Sequence, residues 1–434
     1  MSISEGAWFG LIVGLLLAVF AVPAVARAVA RRDRDPRIFR VVLASGILKL
    51  VCAPVWIYVV DHFYGGAADA YGYSGHGSQV AELIRHGDFA FHVGPLIGDG
   101  ATRIITGIIY SVIGANFLGG AFIFAFLAFL SLALFYRAFY MALPEADHRR
   151  YALLLFFLPS LLFWTSAIGK DALISLGLSL AALGGARILT GRRGRLLPLA
   201  SGLALTALVR PHVALIFFVA LAASYIVGNA RYTSHLAPLT KAFGIIVLVG
   251  GGLLLAKETA HFFGVHSLSI ASVDHVLKQN AVNTGTAART GGGPGQFGSS
   301  DTASTSLSIA ALPKDFYYVV LRPLPFQAHG KGQLASSIEN LFVTVLLVVS
   351  WRRLFTGLRS IRRYPYFLGA AVYSLIWIVL FASIGNLGIL SREKTSLLPF
   401  LLVLVSWQRG STTSESRLPS VATRDSAASS LESV

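Results

Sequence analysis

Charge is what this sequence has least of. Only 13% of its 434 residues are Asp, Glu, Lys or Arg, and Asp and Glu number 20 against 36 Lys and Arg. A soluble chain carries about a quarter of its residues as charges, because its surface has to be wetted. A water-soluble globular protein is therefore excluded. Cysteine is nearly missing too. The single Cys52 lies in an apolar stretch, so no intramolecular disulfide or Cys-based metal site can form, and cysteine usage says nothing about redox compartment. The N-terminus lacks the basic region of a cleaved signal, carries Glu5, and leads into an apolar stretch long enough to remain a span. No strand precedes the Gly-rich run after Thr290 and no Gly-Lys-Ser/Thr follows it. That run is not a phosphate-binding loop; its composition predicts a flexible segment.

What is present is apolar. Hydrophobic residues make up 55% of the chain and the mean hydropathy is +0.68. Runs able to cross a hydrocarbon core recur from Trp8 to Trp407, about eleven in all: residues 8–30, 38–60, 116–141, 151–167, 172–190, 196–209, 212–228, 240–256, 336–351, 365–385 and 394–407. The expected fold is all-α, a polytopic transmembrane bundle over 1–409. The Ser/Thr/Ala-rich 410–434 is expected to be a disordered tail. No matching halves or broken-helix pairs of the transporter kind are visible.

The basic loops are Arg31 to Arg37, His148-Arg149-Arg150, Arg192 to Arg195, the segment with Arg231 and Lys241, and Arg352 through Arg363. They fall on the same side at every second crossing, which assigns that side to the cytoplasm, the N-terminus outside and the C-terminus inside. The formal charge of +16 is thereby a matter of topology and of contact with anionic lipid, rather than of nucleic acid.

Two long segments, about 61–115 and 257–335, then fall outside, and long connections in helix bundles tend to carry function. In the first, Ile104, Ile105, Ile108, Ile109, Val112 and Ile113 form one stripe, with Thr102, Arg103, Thr106, Tyr110 and Ser111 opposite. This pattern predicts a helix lying in the membrane interface. Val80, Leu83 and Ile84 predict a second, shorter one.

Polar groups gather on this side. The richest run is Asp61 to His76, with Asp69, Tyr71 and Tyr73 within it; the bland alternative is an interfacial loop with belt tyrosines. Lys170 beside Asp171, Arg210-Pro211-His212, Arg322-Pro323 followed by Glu339, and Gly385-Asn386 leading to Arg392 and Lys394 are four further constellations. Each alone reads as a snorkelling cation at a helix end. Together they set Lys170, Arg210, Arg322, Arg392 and Lys394 where cations should be scarce, which suits a phosphate or pyrophosphate group. Lys170 either pairs with Asp171 or faces an anionic ligand; neighbours in sequence do not face each other on a helix, which favours the ligand. Lys49, midway along a span, needs a polar cavity or a structural partner.

Asp69-Ala-Tyr-Gly-Tyr73, followed by Ala81-Glu-Leu-Ile-Arg-His-Gly87-Asp-Phe and an interfacial helix, resembles the first outer loop of the GT-C glycosyltransferases. Those enzymes take a sugar from a polyprenyl-phosphate carrier at the outer membrane face. The remaining motifs resemble those of membrane proteins from bacterial polysaccharide clusters. The resemblance is one of layout and short motifs, and departs in an extra leading span and in one aspartate rather than an acidic pair. It implies an inner-membrane enzyme of cell-envelope or exopolysaccharide assembly. Its implied partners are membrane lipid, a polyprenyl-linked donor, a glycan acceptor and other polysaccharide-assembly proteins. It implies Asp69 as catalytic base. Tyr71, Tyr73, His76, Lys170, Asp171, Arg210, His212, Arg322, Arg392 and Lys394 are the substrate-binding candidates. No cofactor or metal ligand is assigned, and use of a divalent metal is left open. A polymerase joining lipid-linked repeat units is a close variant. A flippase or transporter is the alternative from another class, with Lys49 as its best support.

Overall fold

The computed structural model describes residues 5–33, 35–63, 66, 68–227, 237–290, 308–328 and 331–408. The Gly-rich run after Thr290, the Arg231 loop and the tail lie outside these residues. In chain order the helices are α1 (Glu5–Leu16), α2 (Val22–Ala30), α3 (Ile38–Phe63), α4 (Asp69–Arg85), α5 (Ala101–Ile113) and α6 (Phe117–Ala142). Then come α7 (His148–Phe157), α8 (Pro159–Phe163), α9 (Lys170–Leu189), α10 (Leu196–Val209), α11 (Pro211–Val227), α12 (Ala237–Phe262) and α13 (Ile270–Thr290). The last are α14 (Leu312–Phe316), α15 (Lys331–Val349), α16 (Trp351–Arg359), α17 (Pro365–Phe381), α18 (Leu387–Glu393) and α19 (Leu398–Val405).

Among the described residues, five stretches are long and apolar enough to cross a membrane: Trp8–Ala30, Ile38–Phe63, Leu96–Ile113, Phe117–Ala142 and Lys170–Leu189. The pair Leu334–Val349 and Trp351–Arg359, bent by 56°, would make a sixth. The expected count of about eleven is not confirmed, and several of the expected spans are broken or shortened for local reasons. The residue before a proline is driven out of the helical region. Leu158 before Pro159 sits at φ −66°, ψ 123° and splits the expected span 151–167 into α7 and α8. Arg210 before Pro211 sits at φ −149°, ψ 91° and separates α10 from α11. α10, α11 and α17, at 14, 17 and 17 residues, reach only about 21–26 Å at about 1.5 Å per residue, against a core of about 30 Å. The expected span 394–407 is a short 3₁₀ turn at Lys394–Ser396 followed by α19, every residue of which is buried in protein. Its hydrophobicity reflects a central position, not contact with lipid.

The helix expected to lie in the interface is α5. Leu96–Ile113 has the composition of a span, but Ile97 (ψ 127°) and Gly98 (φ +98°) break the helical path. The 13 residues of α5 cover only about 20 Å. Its stripes are oriented the other way from a soluble helix. Thr102, Thr106 and Tyr110 are buried against α4, while Ile108 and Val112 point outwards, Val112 with 83% of its surface exposed. α4 is longer than the short helix expected there, running 17 residues from Asp69. The two pack through glycines: a Cβ on Gly107 would lie 2.4 Å from Val80 Cγ1.

The core is formed by α6, α9, α11, α17 and α19. Phe135 of α6, Phe217 of α11 and Tyr373 of α17 all contact the Phe400 ring of α19, the last at a centroid distance of 4.1 Å. α9 and α10 approach more closely than side chains allow. A Cβ on Gly202 would come within 2.3 Å of the Ala181 backbone nitrogen, as in the small-residue contacts of membrane helices. Asn116 and Asn386 cap α6 and α18 through the backbone N–H groups of Gly119 and Gly388.

The bundle has two polar ends. Asp33, Arg137, His148 and Arg192 border one hollow, and Arg353 pairs with Asp147 at 3.1 Å. The loops read as basic and same-sided do therefore meet, the Arg231 loop aside. The other end gathers the start of α4, the start of α9, the α10–α11 break and α18.

Candidate functional site

At this second end is a recess of about 170 Å³ lined by Asp69, Tyr73, Trp56, Trp164, Lys170 and Arg392, among others. Its residues come from segments far apart in sequence, and each is held by the local chain. Asp69 is the first residue of α4, after an extended Ala68 (φ −139°, ψ 140°), where the helix N-terminus favours a carboxylate. Lys170 and Asp171 open α9. Arg392 and Glu393 end α18, and Arg210 is aimed by the Pro211 break.

The charges are interlocked. Arg392 lies between two carboxylates, with Nη1 3.5 Å from Asp69 Oδ2 and Nε 3.2 Å from Asp171 Oδ2. Asp171 is the main influence that raises the Arg392 pKa above its ordinary value, against the effect of burial, and Asp69 adds to it. Lys170 pairs with Asp99 at 2.7 Å. Tyr73 donates its hydroxyl to the same Asp99 oxygen at 2.6 Å. Burial first, then this hydrogen bond, pushes the Tyr73 hydroxyl well above the usual phenol range, so Tyr73 acts as a proton-bearing donor. Arg210 forms an ion pair with Glu393, both largely buried. Asp69 is the most exposed member of the set, its side chain 64% exposed against 52% for Asp99.

Two of these partners were not visible as such in the sequence. Asp99 stands between two glycines, Gly98 and Gly100, in the turn ahead of α5. That acidic residue in a permissive loop was the available signal. Glu393 sits between Arg392 and Lys394 and is hidden by them in a charge pattern. The sequence offered Lys170 either Asp171 or an anionic ligand; in the structure its partner is Asp99.

Other expected site residues are placed elsewhere. Tyr71 donates to Asp61 Oδ1 at 2.5 Å and stacks on Phe117 at 4.6 Å, which takes it out of the recess. His76 bonds the Gly72 carbonyl at 2.9 Å and does not line the recess. His212 sits among the rings of Phe262, Phe263 and Phe381 at 5.8, 5.2 and 5.9 Å. Arg322 lies over the Tyr318 ring at 5.2 Å with its Nε buried and unbonded. Lys394 is buried and donates to the Arg322 carbonyl at 3.0 Å and to Asn340 Oδ1 at 3.2 Å. It holds the Arg322–Pro323 turn against α15. Asp88 accepts from the Ala90 backbone at 2.8 Å, a turn contact.

Lys49 is fully buried in α3. Its ammonium donates to the carbonyls of Leu161 and Leu162 at 2.7 and 2.8 Å and to the Thr165 hydroxyl. An ammonium has three donors and all are used at the end of α8, whose last carbonyls have no partner within the helix. This is a structural tie between helices.

Among the described residues no group of three or more His, Cys, Asp or Glu side chains is placed to hold a metal ion. Comparison with protein-family models, curated proteins and solved structures finds no match to this chain.

Proposed function

We propose that this chain is a membrane-embedded glycosyltransferase. It moves a saccharide from a polyprenyl-phosphate or polyprenyl-diphosphate donor to a glycan acceptor at the non-cytoplasmic face. The observation that carries the reading is the recess itself: an open carboxylate, Asp69, beside Arg392 and Lys170, between the aromatic walls of Trp56, Tyr73 and Trp164. Indole and phenol faces suit the apolar face of a sugar ring, and guanidinium and ammonium groups suit a phosphate. The positive-inside rule assigns the opposite, basic end to the cytoplasm.

In this scheme the acceptor hydroxyl attacks the anomeric carbon as Asp69 takes its proton. The bond from that carbon to the carrier oxygen breaks, its electron pair stays on the phosphate, and Arg392 and Lys170 stabilise the charge that develops there. Both cations are already matched by Asp69, Asp171 and Asp99. An arriving phosphate would draw Arg392 away from Asp69, freeing the carboxylate at the moment a base is required. Arg210 enters as a positioning residue, since its partner Glu393 adjoins Arg392. The expected roles of Tyr71, His76 and His212 in substrate binding are not retained.

A polymerase that joins whole lipid-linked repeat units uses the same chemistry with a larger acceptor, and Arg322, whose Nε has no hydrogen-bond partner, would suit an extended ligand. The transport reading loses its main support, because Lys49 is fully engaged in a structural contact. Deleting the gene tests the reading. Polyprenyl-linked saccharide is expected to accumulate while one envelope or extracellular glycan is lost or shortened, and single repeat units on lipid would identify the polymerase. An unchanged lipid-linked pool with unchanged glycans would sink both.

A further inference from the structure

The basic end of the bundle holds a second and larger hollow that saccharide transfer does not use. Its volume is about 1020 Å³, at the top of the roughly 300–1,000 Å³ range of small-molecule sites. Five arginines stand in its wall: Arg32, Arg37, Arg137, Arg149 and Arg192. Every carboxylate in the same hollow is already engaged. Asp33 accepts the Tyr136 hydroxyl and the Asp35 backbone N–H, the latter at 2.7 Å. Asp35 accepts the Arg37 backbone N–H at 2.8 Å. Asp147 caps α7 through the Arg150 N–H at 3.0 Å and pairs with Arg353 at 3.1 Å. Among the described residues, none of the five arginine side chains has a hydrogen bond or ion pair.

Loop arginines at a cytoplasmic face are ordinary, and that accounts for the exposed Arg32, Arg37, Arg149 and Arg192. It does not account for Arg137. This residue sits within α6, half-buried, and Arg32, Arg187 and Arg192 act on it with charge of its own sign. A half-buried cation facing like charges is unfavourable unless an anion shares the space. The rest of the wall includes Val29, Ile38, Val41 and Leu153, an apolar lining that suits acyl chains better than a free solute.

We propose that this hollow binds the phosphorylated headgroup of an anionic lipid, with Arg137 as its central contact and Arg32 and Arg192 at its rim. Guanidinium forks match phosphate oxygens two at a time. The apolar wall carries the start of the lipid tails. The hollow and the transfer recess share no lining residue, so failure here leaves the transfer reading intact.

The test uses the full chain in phosphatidylcholine nanodiscs, with phosphatidylglycerol titrated in and the lipids retained per protein counted by native mass spectrometry. Wild type is expected to retain phosphatidylglycerol preferentially. Arg137→Gln should weaken that preference about tenfold, and Arg137→Lys should keep most of it. Arg192→Gln, at an exposed rim position, should weaken it by a smaller factor and guards against a folding defect at position 137. Equal retention by wild type, Arg137→Gln and Arg192→Gln overturns the proposal. A parallel arm with inorganic pyrophosphate separates the sources: pyrophosphate that stabilises the protein to heating while phosphatidylglycerol is not retained overturns the lipid assignment.

Discussion

Asp69→Asn is expected to abolish nearly all saccharide transfer while leaving membrane abundance and thermal stability as they are. A general base contributes about 10²–10⁴-fold to rate, and an amide cannot take the acceptor's proton. The stability half of the expectation follows from exposure. The Asp69 side chain is 64% exposed and its contact with Arg392 is 3.5 Å long, and such an exposed pair adds at most about 1 kcal/mol. Asp61→Asn, Asp88→Asn and Asp99→Asn are the comparisons. Asp61 and Asp88 bond the Tyr71 hydroxyl and the Ala90 backbone, so their variants should stay within a few-fold of wild type. Asp99 holds both Lys170 and Tyr73, so Asp99→Asn should raise KM for the lipid-linked donor more than it lowers kcat. Wild-type transfer by Asp69→Asn in matched membranes would remove the assignment.

Arg210→Met should have the largest effect on folding. It leaves Glu393 buried without its counter-charge, and removing one member of a buried ion pair costs about 3–5 kcal/mol. Membrane abundance and the unfolding temperature should fall sharply, and Glu393→Leu should do much the same by stranding Arg210. The double variant Arg210→Met/Glu393→Leu should recover most of the stability, because a buried pair is often replaceable by apolar residues of similar volume. Its activity should nevertheless stay low, since Arg392 loses the neighbour that fixes the end of α18. If the double variant is as unstable as the sum of the singles, the two side chains are not coupled. If it is stable and fully active, the pair has no positioning role.

The helices themselves were legible in the sequence, because apolar runs and prolines act locally. The expected spans 8–30, 38–60, 116–141 and 172–190 each coincide with a long apolar helix. The count of crossings was not legible. Hydropathy cannot tell a lipid-facing helix from one buried among other helices, and α19, the most completely buried of them, has the look of a span for that reason. Prolines at 159 and 211 were visible, but how far each bends the chain depends on what packs around it.

The site was legible in part. Lys170, Arg210 and Arg392 stood out as cations out of place by side, with Asp171 beside the first, a one-dimensional signal. Their carboxylate partners did not stand out. Asp99 and Glu393 reach them only through folding, across 71 and 183 positions of chain respectively for Lys170 and Arg210. Tyr71 and Tyr73 looked equivalent two residues apart; on a helix they point to different sides. One meets Phe117 and the other lines the recess.

The most direct measurement of the central claim takes the lipid fraction of a deletion strain and adds back purified protein in lipid vesicles, following the lipid-linked saccharide pool over time. The account predicts that wild-type protein consumes that pool and releases the carrier phosphate as glycan product forms, while Asp69→Asn protein at the same density leaves the pool unchanged. A pool that wild-type protein leaves untouched, or that both proteins consume at one rate, would contradict it.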